Sequence, residues 1–213
     1  MYLSQLHLDG NSRQTRNALS APNKFHGAVE SAFPGSRERN LWRIDQRGGQ
    51  FYLLVLSAQK PDLTAASEQF GVQGETWQTK SCQALLGRIC TDSRWRFRLC
   101  ANPTYSVPAG NGKRGRVCAH SELEHQIQWL IRQGEKHGFL LKREECSVIK
   151  EKWYIFKKGT TSNKVTFLAV TYDGILTVKN AERFKEALCA GIGSGKAYGA
   201  GLMTLVREGT AYV

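Results

Sequence analysis

Tyr2, Ser4, Leu6 and Leu8 alternate with Leu3, Gln5 and His7, a period of two that predicts a strand. The stretch Ser12–Leu19 is basic and polar, with Arg13 and Arg16 three positions apart. Ser20 is a fitting N-cap, and Pro22 is tolerated in a first turn. Phe25, Ala28, Val29, Ala32 and Phe33 then fall on one helical face, which Pro34-Gly35 ends. Leu41–Gln46 and Phe51–Leu56 read as strands about a Gly48-Gly49 turn. A helix is expected over Pro61–Phe70, and a weaker strand within Lys80–Ile89. The order is βαββαβ, a ferredoxin-like unit.

The second half repeats that order without repeating the sequence. Trp95–Ala101 reads as a strand and Pro103–Val117 as a basic, glycine-containing loop. Ser121 and Glu124 form a capping-box pattern before a helix whose face is Leu123, Ile127, Leu130, Ile131 and Gly134, with Gly138 just past its end. Phe139–Phe156 is expected to be two strands joined by a charged turn. Lys164–Tyr172 and Ile175–Val178 flank Asp173-Gly174, a hairpin-turn dipeptide. Asn180 caps a short helix through Phe184 and Leu188, and a glycine-rich loop and a last strand follow. The predicted fold class is α+β, with two tandem ferredoxin-like (RRM-like) domains, residues 1–91 and 92–213.

Composition narrows the function more than the fold. Thirty Lys and Arg oppose eighteen Asp and Glu, a formal charge of +12, which favours a polyanionic partner. No run approaches the ~18 apolar residues of a membrane span, and Met1–Leu8 has no secretory pattern, so a cytoplasmic protein is expected. The six cysteines are scattered without a CxxC pair and the carboxylates are dispersed, so neither a metal site nor a cofactor is expected.

The segment Ala190–Leu205, AGIGSGKAYGAGLMTL, invites a phosphate-loop reading and fails it. A Walker sequence needs a glycine, four intervening residues and then Gly-Lys-Ser/Thr; here Ala190 holds the first position and Ala197 the last. A glycine-rich loop still offers N–H groups to a phosphate, or else it simply caps a helix and leads into a strand.

Five separated segments carry a family resemblance: the opening strand followed by Ser12-Arg13, the helix with His26 seven residues before Phe33, the run Arg96-Phe97-Arg98-Leu99-Cys100-Ala101-Asn102-Pro103, the basic Gly112–Val117, and the terminal glycine loop. In order and spacing the chain resembles the CasE family, the endoribonuclease subunit of the type I-E CRISPR Cascade complex, from Met1 to about Val206. The resemblance implies two ferredoxin-like domains, a metal-independent cut in the CRISPR repeat RNA at the base of its stem-loop, and retention of the mature crRNA beside other Cascade subunits. The chain departs from the family where Asn23 stands in place of a tyrosine three residues before the histidine. It departs again where Cys100 and Tyr105 replace an arginine and a lysine.

RNA carries its own nucleophile, the 2′-OH, so a nuclease using it needs proton transfer and charge stabilisation rather than a metal. One imidazole suffices to exchange protons at neutral pH. His26 lies beside the apolar stripe of its helix and on the same side as Asn23 and Glu30. By its position alone such a histidine reads as structural or merely exposed; the resemblance implies a catalytic one, which makes His26, Asn23 and Lys24 the candidate group: His26 relays protons, Asn23 donates a hydrogen bond, and Lys24 opposes phosphorane charge. The candidate RNA-binding residues are Arg13, Arg16, Arg37, Arg39, Lys113, Arg114, Arg116, Lys157, Lys158, Lys164, Gly193, Gly195 and Lys196. Lys157–Lys164 reads as a cationic hairpin tip suited to an RNA stem, while Trp95, Trp153 and Tyr154 sit in strand contexts that favour core packing. A non-catalytic RNA-binding subunit on the same scaffold, and a DNA-binding module, are the alternative readings.

Overall fold

A computed structural model describes residues 1–35, 38–110, 115–157 and 164–208. The first half runs β1 (Tyr2–Leu8), α1 (Arg13–Ser20), α2 (Asn23–Ser31), β2 (Leu41–Arg47), β3 (Gln50–Ser57), α3 (Thr64–Phe70), β4 (Gln78–Ser81) and a short α4 (Gln83–Gly87). Its antiparallel sheet has the order β2-β3-β1-β4. The second half runs β5 (Arg94–Ala101), β6 (Thr104–Val107), β7 (Arg116–Ala119), α5 (Leu123–His137), β8 (Phe139–Lys157), β9 (Lys164–Val178), α6 (Ala181–Ala190), a 3₁₀ turn (Lys196–Tyr198) and β10 (Met203–Arg207). Its main sheet has the order β10-β5-β9-β8. In both sheets the first and third strands of a βαββαβ unit are central, which is the ferredoxin-like arrangement.

Period-two burial builds each core. Leu6 and Leu8 of β1 and Leu53 and Val55 of β3 face the helices, against Ala18, Phe25, Val29 and Phe70. Phe97 and Leu99 of β5 and Val170 and Tyr172 of β9 meet Trp129 and Leu130 of α5 and Phe184 of α6. The first sheet is buried on its other face as well, where Leu41, Leu54 and Leu56 pack with Leu202. That is why Leu53 through Ser57 are consecutively buried, a pattern proper to a strand covered on both faces.

Arg43 ties the two halves together. It is 1% exposed, and its guanidinium grips Asp45 through Nε at 2.6 Å and Nη2 at 2.9 Å. Nη1 donates to the carbonyls of Arg98 and Leu202, and Nη2 to Thr204 Oγ1.

Several local expectations are corrected. Ser20 does not cap the helix that carries Phe25: Pro22 holds that N-cap position, and Ser20 ends α1, capped by Ser12, and donates its hydroxyl to Arg16 O. The fourth strand begins at Gln78, ahead of the expected stretch, and only Lys80 and Ser81 of that stretch belong to it; Gln83–Gly87 is helical. The region read as a loop after Pro103 contains the β6–β7 ladder. Glu122 occupies the N-cap of α5 and makes no side-chain cap, so the capping box does not form; Glu124 instead accepts from Arg143 and Gln128.

β8 is one strand with register shifts at Leu141/Cys146 and Val148/Lys150, not two strands. β9 likewise runs straight through Asp173-Gly174. Arg98 holds the Asp173 carboxylate with two hydrogen bonds, at 2.7 and 2.6 Å. A Cβ on Gly174 would collide with the Glu145 carbonyl, so this glycine serves the close approach of the irregular β8 rather than a turn.

Candidate active site

His26 sits in the first turns of α2, which Pro22 opens with αR backbone angles; the His26 amide donates to Pro22 O at 3.2 Å. Phe25, Ala28 and Val29 turn into the core, so His26 emerges at the edge of the buried stripe, with its side chain 40% exposed. Glu30 lies one turn on, its Oε1 3.8 Å from His26 Nδ1. At that separation the pair makes no hydrogen bond, and the carboxylate and the imidazole both remain open to the cleft.

The glycine loop forms the facing wall. It leaves α6 at Gly191 and is pinned at its base, where Ile192 N donates to Gly201 O and Gly201 N to Cys100 O. Midway, Asn102 Nδ2 donates to Ser194 Oγ at 3.3 Å. Gly195 and Gly199 have φ of +80° and +82° and flank the Lys196–Tyr198 turn. A Cβ on Gly195 would come within 2.5 Å of the Phe167 ring, and one on Gly199 within 2.8 Å of Trp42. Handedness and packing thus both require glycine there. The Tyr198 ring meets Phe156 edge-on at 5.1 Å and tilts against Phe167 at 5.7 Å.

Between these walls lies a cleft of about 530 Å³, lined by His26 and Glu30, by Glu38, Arg39 and Asn40, and by Gly193 through Tyr198. The histidine, an arginine, a lysine and a glycine-rich backbone therefore converge from segments far apart in sequence. Burial lowers the Lys196 pKa from its ordinary value, and the positive charges of Arg39 and Lys136 lower it further.

Of the sequence-predicted residues, His26, Arg39, Gly193, Gly195 and Lys196 share this cleft. Asn23 and Lys24 are not among its lining residues. Asn23 has its Oδ1 enclosed without a hydrogen-bond partner, and Lys24 is exposed. Arg13 and Arg16 are exposed on α1, and Arg116 is exposed on β7. Lys157 and Lys164 are exposed and directly paired across the β8–β9 ribbon. Arg37, Lys113, Arg114 and Lys158 lie outside the described residues.

Sequence reasoning missed Tyr198, whose signal is an aromatic set between Lys196 and Gly199 inside a glycine loop. It also misplaced Trp153. Trp95 is buried and Tyr154 half-buried, stacked on Phe167, but Trp153 is 50% exposed, as is much of Ile155. The ribbon presents this side to solvent, while Lys152 on the other side donates to Leu19 O of the first half. No helix among the described residues is long and apolar enough to cross a membrane, and no group of three or more His, Cys, Asp or Glu among them has a metal-holding arrangement.

The family model described as CRISPR associated protein matches residues 1–207. The CRISPR-associated endoribonuclease Cse3 of Thermus thermophilus is 30% identical over 96% of this chain and 99% of its own. The CRISPR system Cascade subunit CasE of Escherichia coli is 30% identical over 81% of this chain and 83% of its own. A solved structure of the endoribonuclease Cse3 bound to a 19-nucleotide RNA superposes with a TM-score of 0.82 at 26% identity, covering 97% of this chain and all of that one.

Proposed function

The chain belongs to the CRISPR-associated protein family of Cse3 and CasE, and from that premise we propose how it acts on RNA. It is an endoribonuclease of the Cascade complex. It cuts CRISPR precursor RNA within the repeat, at the base of the stem-loop. It then keeps the mature crRNA as a bound subunit of a cytoplasmic assembly. Residues 1–91 form the unit that carries the histidine, and residues 92–213 the unit that carries the ribbon and the glycine loop.

One observation carries the reading: His26 and the glycine loop with Lys196 face each other across a single open cleft. A scissile phosphate seated there meets the loop and the Arg39 guanidinium while His26 exchanges protons with the reacting oxygens. Attack by the neighbouring 2′-OH leaves a 2′,3′-cyclic phosphate and a 5′-OH. The stem is held electrostatically and by shape. The exposed Arg13, Arg16, Arg116, Lys157 and Lys164 serve that contact, with Arg37, Lys113, Arg114 and Lys158 assigned to it from the sequence.

The test is cleavage of a labelled repeat hairpin in EDTA, beside the same hairpin with 2′-deoxyribose 5′ of the cut. Cutting only the all-ribose RNA is expected. Cutting both would replace the 2′-OH with an activated water. A second reading, a non-catalytic RNA-binding subunit, draws on the enclosed, non-titratable Asn23. It predicts tight binding of the hairpin without cutting.

A further inference from the structure

The 2′-OH reaction needs two proton transfers. One group takes the proton of the attacking hydroxyl, and another supplies the proton that leaves with the 5′ oxygen. His26 fills one role, and neither Asn23 nor Lys24 lines the cleft to fill the other. The titratable groups that do line it are Glu30, Glu38, Arg39, Lys196 and Tyr198. Arg39 does not release its proton under ordinary conditions, so it binds phosphate without acting as an acid. A carboxylate has no proton to give, and a phosphate repels it.

The geometry points to Lys196 as the general acid of the cut, donating to the 5′ oxygen from the wall opposite His26. This rests on the endoribonuclease reading above and assigns one step within it. The stem of Lys196 lies over Gly201, its Cγ 3.2 Å from where a Cβ there would project, and its backbone opens the 3₁₀ turn between two left-handed glycines. The charged groups about it are Arg39, Lys136, His137, His26, Glu30 and Glu38. Burial and the first two of these cations make its ammonium a stronger acid than a solvated lysine, and a general acid works best when its pKa lies nearer the operating pH.

The balance is complete without a co-reactant. Neutral His26 takes the proton of the 2′-OH, the O2′–P bond forms and the P–O5′ bond breaks. The Lys196 ammonium gives its proton to O5′. The products are a 2′,3′-cyclic phosphate and a 5′-OH. An imidazolium and a neutral amine remain, and they exchange one proton through solvent to restore the starting enzyme. Nothing is oxidised or reduced.

The experiment compares natural repeat RNA with the same RNA carrying sulfur in place of the bridging 5′ oxygen, since a thiolate leaves without protonation. On natural RNA, Lys196→Ala and Lys196→Arg are both expected to cut about 10²-fold or more slowly, the usual span for a lost general acid. On the sulfur substrate both should approach the wild-type rate, and filter binding should change only a few-fold. His26→Ala, whose base step is still required, should stay slow on both. Slow cutting of both substrates by Lys196→Ala, full activity of Lys196→Arg on natural RNA, or sulfur rescue confined to Tyr198→Phe would each overturn the assignment. Wild-type protein that cuts neither substrate would overturn the nuclease reading itself.

Discussion

Arg43 donates through Nη1 to the carbonyl of Leu202 at 2.9 Å, spanning 159 positions of sequence. Leu202 directly follows Gly201, the residue that closes the base of the glycine loop. One side chain of the first sheet therefore fixes the exit of the loop against the strand that follows α2.

Arg43→Met should destabilise the protein by about 3–5 kcal/mol, because it leaves the Asp45 carboxylate buried without its partner. The double variant Arg43→Met, Asp45→Leu should cost less than the single one, since no charge is then stranded. Urea denaturation of the three proteins measures this. A single variant as stable as wild type would remove the pair from the account of stability.

Acid should unfold the protein partly through Asp45. Burial alone would raise its pKa, but the charge and hydrogen bonds of Arg43, aided by Arg98 and Arg47, more than reverse this and leave it below the ordinary value. A carboxyl depressed in the folded state contributes stability that is full above its unfolded pKa. That stability is lost as pH falls from about 4 through the folded pKa. Asp45→Asn should be less stable at pH 7 and show a flatter loss of stability on acidification, read by thermal melts across that window. An unchanged slope would place acid sensitivity elsewhere.

His26→Ala should lose about 10²–10⁴-fold in cleavage rate while binding the hairpin nearly as wild type. Single-turnover assays in EDTA, beside filter binding and circular dichroism, separate chemistry from folding. Wild-type rates in a folded variant would remove His26 from the mechanism.

Neutralising Lys157 and Lys164 together should weaken RNA binding and flatten its dependence on salt. Each lost phosphate contact lowers the slope of log K against log salt by about 0.7 to 0.9. A slope equal to wild type would mean that these paired lysines face solvent when RNA is bound.

The two βαββαβ orders were legible because burial follows simple periods: two along β1, and the 3.6-residue stripe of Phe25, Ala28, Val29 and Phe33 before Pro34. The errors cluster where tertiary contact overrides local chemistry. Asp173-Gly174 has hairpin composition, but Arg98 claims the aspartate and the nearby backbone of β8 claims the glycine. Trp153 looks like core from its strand context, and only the reach of the β8–β9 ribbon decides that it meets solvent. His26 was singled out through its place in a motif, and it lines the cleft. Tyr198 was not, because no periodicity marks a residue that a 3₁₀ turn delivers to a cleft. The capping pattern at Ser121 failed because the helix starts after Glu122, a shift that spacing alone does not reveal.

The left-handed turns of the glycine loop have a stereochemical consequence. At Gly195 and Gly199, with φ near +80°, an L-residue meets two obstacles: a disfavoured backbone and a Cβ aimed at Phe167 or Trp42. A D-residue escapes the first and aims its Cβ away from those rings. Positive φ is its natural region, and its Cβ departs from the opposite side of the α-carbon. The ten-residue span from Ile192 to Gly201 is short enough to be made by peptide synthesis and ligated into the chain. D-alanine placed there would preserve the hand of the backbone while L-alanine destroyed it. The difference between the two mirror-image substitutions would then measure what chirality alone contributes to the wall that faces His26.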